Sequence, residues 1–142
     1  MLELKNVSKT FNPGTINAKT ALKGLNLCLN DGDFVTVIGG NGAGKSTMLN
    51  AIAGVFDIDG GSISIDGSEI SRKSEHKRAS MIGRVFQDPM MGTAPTMTIE
   101  ENLALAARRG RRRTLARGIK KSEREHYRDQ LSRLGLGLEN RL

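Results

Sequence analysis

Leu2, Leu4 and Val7, with Phe11 beyond, set apolar side chains among polar ones and predict a first strand that runs into a loop at Asn12-Pro13-Gly14. Leu25, Leu27 and Leu29 alternate with Asn26, Cys28 and Asn30, the period of a half-buried strand, and Asp31-Gly32 is expected to close it as a hairpin turn. Phe34-Val35-Thr36-Val37-Ile38 is β-branched and nearly all apolar, which suits a strand buried on both faces of a parallel sheet. A glycine-rich loop follows. Met48, Leu49, Ile52 and Ala53 then place an apolar stripe on a helix, with Gly54 at its C-terminal cap. Residues 62–66 alternate again, with Asp66-Gly67 as their turn. Residues 74–80 read as a short charged helix and residues 81–86 as another strand. Thr98 with Glu101 forms a capping box that opens a helix through Ala107. Ser122 with Glu125 predicts a second box, followed by Tyr127, Leu131 and Leu134 at helical spacing. Strands mixed with helices around a strand–loop–helix unit indicate an α/β fold.

The loop after the apolar run carries the chemistry. It reads Gly39-Gly40-Asn41-Gly42-Ala43-Gly44-Lys45-Ser46-Thr47 and fits the phosphate-binding pattern G-x-x-x-x-G-K-[ST] at Gly39, Gly44, Lys45 and Ser46. Backbone N–H groups must point inward around a phosphate, so side chains there are obstructive and glycine is favoured. The helix that follows offers its unpaired N–H groups and positive dipole end to the same anion. Lys45 can reach the β- and γ-phosphates as a point charge. Ser46 can give one oxygen to Mg²⁺, which keeps water and phosphate oxygens as its other ligands. Thr47 can donate to the α-phosphate. A dinucleotide G-x-G-x-x-G reading fails, because Lys45 stands where the third glycine belongs.

Composition narrows the class. The chain has 142 residues, 37 % hydrophobic and 26 % charged, an ordinary globular balance of about one domain. No apolar run approaches the roughly 18 residues of a membrane-spanning helix. The opening Met1-Leu2-Glu3-Leu4-Lys5 lacks a secretory pattern, and the single Cys28 cannot form an internal disulfide. Both favour a reducing compartment. Net charge is +7, yet Arg108, Arg109, Arg111, Arg112, Arg113, Arg117, Lys120 and Lys121 form an acid-free segment of eight basic residues. The remainder therefore carries −1, seven less eight, and the chain is not a uniformly basic nucleic-acid binder. Three readings stay open for the basic segment: a solvated loop, contact with anionic lipid headgroups, or nucleic acid, the last poorly supported without aromatic stacking residues nearby.

Further motifs resemble one family. Gly83-Arg84-Val85-Phe86-Gln87-Asp88-Pro89 resembles the Q-loop of ABC transporter ATPases. Ala21-Leu22-Lys23-Gly24-Leu25 with Asp31-Gly32-Asp33 is similar to that family's N-terminal β-subdomain. Gly60-Gly61-Ser62-Ile63-Ser64-Ile65-Asp66-Gly67 and Thr98-Ile99-Glu100-Glu101-Asn102 resemble later family segments. The resemblance implies a P-loop NTPase fold: a RecA-like core with an antiparallel β-subdomain over residues 1–88, and the start of a helical subdomain over residues 89–142. It implies that Phe11 occupies the place of the aromatic that stacks on adenine, although a buried strand-end Phe remains the alternative. It implies that Gln87 contacts Mg²⁺ or the attacking water, and that residues 88–98 lie near the membrane subunits.

The family's LSGGQ signature, its Walker B carboxylates and its switch His do not occur in the 142 residues, and His76 and His126 stand in charged stretches that suit solvent. The resemblance thus implies a partial reading of a longer ATPase, with the C-terminal part missing, which binds ATP and Mg²⁺ but does not hydrolyse at a useful rate alone. For the parent it implies a homodimer of ATPase subunits on transmembrane permease subunits, at the cytoplasmic face of the membrane. A solute-binding protein and import of amino acids, aromatic ones included, are also implied. The rival readings are a soluble ABC-type ATPase acting on nucleic acid and a non-catalytic fragment.

Overall fold

A computed structural model describes residues 1–110 and 118–142. Most of the basic segment, from Arg111 to Arg117, lies outside the described residues. The contacts divide the chain into two compact units, Met1–Ile82 and Gly83–Leu142. Residues 83–88 belong to the second unit.

The first unit is built on a four-stranded antiparallel sheet, ordered β2-β1-β3-β4. Its strands are β1 (Leu2–Phe11), β2 (Lys19–Leu29), β3 (Gly60–Ile65) and β4 (Ser68–Glu69). Leu4 pairs with Leu27 on one side and with Ile63 on the other. This lines up the alternating apolar positions of three strands on one face. Leu4, Val7, Leu22, Ile63 and Ile70 are buried there, against Met48 and Ala51 of helix α1 (Lys45–Ala53). The β3–β4 turn is the expected Asp66-Gly67, with φ of 48° and 74°. Positive φ at both positions matches the twist of a two-residue hairpin. Gly54, at φ 83°, ends α1 by donating to Asn50 and Ala51.

Arg78 closes this unit from beneath. It lies in α2 (Glu75–Arg78), within the stretch expected to be a short charged helix, and it is buried. Its Nη1 donates to the carbonyls of Ala51 at 2.6 Å and Ile52 at 2.9 Å, at the end of α1. Its Nε donates to Lys73 at 2.7 Å and its Nη2 to Ser71 at 2.9 Å. The helix-end carbonyls have no donor within the helix, so this side chain supplies one.

In the second unit, α3 (Ile99–Ala107) opens on the predicted box: the N–H of Glu101 donates to Thr98 Oγ1 at 3.2 Å, and the N–H of Thr98 donates to Glu101 Oε2 at 2.8 Å. Helix α4 (Lys121–Ser132) begins earlier than expected. The N–H of Lys120 donates to Glu123 at 2.8 Å, so Glu123, and not Glu125, closes this helix start. Arg124 pairs with Glu100 through bonds of 2.5 and 2.9 Å, and Arg108 with Glu123 at 3.1 Å, joining α3 to α4. Ala104, Tyr127 and Leu131 are buried. Leu134 falls beyond the end of α4 and is exposed, because the helical period it was read on stops at Ser132.

Four expectations of the first unit and its boundary are corrected. Residues 34–38 form no strand, and Phe34 and Ile38 are 95 % and 90 % exposed. A strand of a parallel sheet is buried only between partner strands, and among the described residues nothing pairs with it. Asp31-Gly32 does turn the chain, with Asp33 donating to Asn30 at 3.2 Å, but without a paired second strand it closes no hairpin. Residues 81–86 are likewise not a strand; Val85 is fully exposed. Leu49 points to solvent, since Met48 and Ala51 set the buried side of α1 and Leu49 lies off it at about 100° per residue.

Candidate functional site

β2 and α1 hold the glycine-rich loop between them. A Cβ on Gly44 would meet the backbone oxygen of Ala21 in β2 at 2.6 Å, and Gly44 has φ 88°. Only glycine satisfies both the close approach and the left-handed backbone. Gly44 is also the N-cap of α1, and the amide of Met48 returns to its carbonyl at 2.8 Å. Gly42 takes φ 81° in the same loop. The chain thus turns sharply and enters a nine-residue helix whose first N–H groups lack intrahelical partners.

An open cleft of about 290 Å³ stands at this helix start, lined by Asn41, Gly42, Ala43, Gly44, Lys45, Ser46 and Thr47 together with Phe11, Lys19 and Ala21. Its volume is at the low end for ligand pockets. The structure therefore brings Phe11 to the loop across some thirty positions of sequence. The Phe11 ring is half-buried and meets Phe56 edge-on, with centroids 5.2 Å apart. Lys9 lies over both rings, 5.7 and 5.4 Å from their centroids. Its ammonium donates to Asp59 at 2.9 Å and to the carbonyl of Asp57 at 2.7 Å. Asp59 also accepts from the N–H of Thr10 at 2.6 Å, which holds its carboxyl below the usual range. The strand end that carries the aromatic ring is thus fastened on both sides.

Lys45 donates to the carbonyls of Gly39 at 2.5 Å and Gly40 at 2.8 Å, so its ammonium spans the loop it belongs to. Ser46 is exposed beside it. Among the described residues no group of three or more His, Cys, Asp or Glu could hold a metal. That donor set fits Mg²⁺ carried in with phosphate oxygens and water, with Ser46 as the protein's oxygen, rather than a metal held by the chain alone.

Gln87 belongs to the second unit and is exposed. Both of its neighbours are held. Phe86 lies under the Arg84 guanidinium at 4.4 Å, and Asp88 accepts from the N–H of Met90 at 2.9 Å. Further on, Asn102 clamps the loop before α3: its Oδ1 accepts from Ala94 at 2.8 Å, and its Nδ2 donates to the carbonyls of Ala94, Met97 and Thr98 at 3.0–3.2 Å. Sequence reasoning missed Lys19, Ala21 and the work of Asn102. The signal for Lys19 was its place eight residues after Phe11, across a loop containing Pro13 and Gly14.

Comparison with known proteins agrees with this geometry. The family model described as ABC transporter matches residues 22–142. A tyrosine transport ATP-binding protein of Clostridioides difficile (strain R20291) is 44 % identical over 111 residues, covering 78 % of this chain and 44 % of that protein. The spermidine/putrescine import ATP-binding protein PotA of Haemophilus ducreyi is 44 % identical over 108 residues, covering 76 % of this chain and 27 % of that one. The bacitracin export ATP-binding protein BceA of Halalkalibacterium halodurans is 34 % identical, covering 74 % and 42 %. The chain therefore spans less than half the length of these relatives. Among solved structures, the dimeric bacterial ABC transporter cassette MJ0796 superposes with a TM-score of 0.74 at 30 % identity, covering 94 % of this chain and 56 % of that one. A glycine-rich loop packed between β2 and α1, in a fold shared with these cassettes, places this chain in the ABC transporter family, with the P-loop NTPase fold and its antiparallel β-subdomain.

Proposed function

We propose that this chain is the nucleotide-binding part of an ABC transporter ATPase subunit, which takes MgATP in the cleft between Phe11 and the Gly39–Thr47 loop. The carrying observation is the convergence of an aromatic ring, a phosphate-type loop and a helix start on one cleft. The base stacks on Phe11. The loop amides of residues 40–44 and the α1 terminus hold the phosphates. Lys45 leaves the carbonyls of Gly39 and Gly40 for the β- and γ-phosphates, Ser46 gives an oxygen to Mg²⁺, and Thr47 donates to the α-phosphate. From its Gln87-Asp88-Pro89 motif, Gln87 would serve Mg²⁺ or the attacking water in the longer protein. Its fastened neighbours support a defined place for it within its own unit. Mg²⁺ supplies charge neutralisation at the phosphates.

For the longer protein the proposal is hydrolysis coupled to solute transport, with two ATPase subunits working on transmembrane permease subunits at the inner face of the membrane. Among the described residues no helix is long and apolar enough to cross a membrane. The tyrosine-transport relative supports an amino acid or a related small solute, and the spermidine/putrescine import relative supports uptake together with a solute-binding protein; the bacitracin-export relative marks direction as the point to test. The basic segment from Arg108 to Lys121 remains the candidate for anionic lipid contact.

The site is tested by equilibrium binding of MgATP to the 142-residue chain and to its Lys45→Ala variant. Loss of the ammonium removes a charge-assisted phosphate contact, and affinity falls at least about tenfold. Unchanged affinity refutes the phosphate assignment.

A further inference from the structure

We propose that Lys19 is a second cation of this site and contacts the phosphate chain of the nucleotide directly. The inference deepens the reading above and rests on it. Lys19 is the residue paired with Phe11 across β1 and β2, so the two side chains leave the sheet on one face. Both line the cleft with residues 41–47. The Lys19 ammonium lies 3.6 Å from where a Cβ on Gly42 would stand, at the bend of the loop.

The neighbouring lysines are engaged and Lys19 is not. Lys9 is held by Asp59 and the Asp57 carbonyl. Lys45 is held by Gly39 and Gly40 of its own loop. Among the described residues no carboxylate lies within 4.0 Å of Lys19. Its charge is therefore available to an anion entering the cleft, without an ion pair to break first. Its position beside the loop bend directs that charge at phosphate. The interaction grows with the number of phosphates and is absent for the nucleoside alone. The side chain is exposed, so replacing it leaves the core of the unit untouched.

The experiment titrates the chain and its Lys19→Ala, Lys19→Arg and Lys45→Ala variants with ATP, ADP and adenosine by calorimetry. Lys19→Ala is expected to weaken ATP about fivefold, ADP by less, and adenosine not at all, with the ATP effect shrinking as salt rises. Lys19→Arg keeps most of the affinity. An ATP affinity for Lys19→Ala within twofold of the parent overturns the inference, as does an equal loss for adenosine. If Lys45→Ala weakens ATP while Lys19→Ala does not, the site stands and only this inference fails. If neither variant changes ATP binding, both fail.

Discussion

Replacing Arg78 by lysine keeps a positive charge at the end of α1 and removes the planar donor array. Four carbonyl oxygens, of Ser71, Lys73, Ala51 and Ile52, receive its N–H groups at 2.6–2.9 Å. The side chain is only 1 % exposed, so water cannot readily replace it. Burial pushes the guanidinium pKa down while Asp57 opposes this, yet the group stays protonated at any ordinary pH. An ammonium is a point donor and reaches about half of such a spread of acceptors. Two lost bonds to a charged donor, at about 1.5 kcal/mol each, cost about 3 kcal/mol. Alanine loses all four and costs about 6 kcal/mol, which is comparable with the whole stability of a small domain. Gly54 tightens the constraint, because a Cβ there would meet the Arg78 Nε at 2.7 Å. Urea unfolding followed by circular dichroism measures the loss. With a slope of about 1 kcal/mol/M, the lysine variant should lose about 3 M of its midpoint, and the alanine variant should show no cooperative transition. A lysine variant within 0.5 M of the parent (about 0.5 kcal/mol), or a cooperative alanine variant, would show that the helix-end carbonyls do not depend on this side chain.

Gly44→Ala forces a Cβ to 2.6 Å from the Ala21 oxygen at φ 88°, and should displace the loop, cost about 2 kcal/mol and weaken MgATP binding; a thermal melt and a binding titration that both match the parent would count against it. Arg124, hydrogen-bonded to Glu100, holds that carboxyl below its ordinary 4.5. A depressed carboxyl pKa stabilises the folded state above the unfolded pKa, and that stability is lost as pH falls through the folded value. The α3–α4 pair should therefore lose helicity below about pH 4.5, and Glu100→Gln should flatten that part of the curve; superimposable acid titrations of the two chains would refute the linkage.

The chain's own order of residues determined what depends on a few neighbours. The Gly39–Thr47 pattern, the Thr98–Glu101 box, the Asp66-Gly67 turn and the Gly54 cap are all legible, because each rests on backbone angles and bonds within about four positions. The second box was misplaced by two residues, since Glu123 and Glu125 both offer a carboxylate and local pattern does not choose between them. The apolar run at residues 34–38 reads as a buried strand, but burial belongs to partner strands and not to the run itself. Charge position needed the tertiary structure as well. Arg78 stands in a stretch legible only as a short charged helix and is a buried donor, because two of its acceptors lie some 26 positions earlier, at the end of α1. The meeting of Phe11, Lys19 and the loop at one cleft was likewise decided by the sheet. The register of β1 on β2 sets two side chains together, and the packing of Gly44 on Ala21 brings the loop to them. Contacts between distant segments form only when the whole unit packs, so their geometry is written in the fold rather than in any short stretch of sequence.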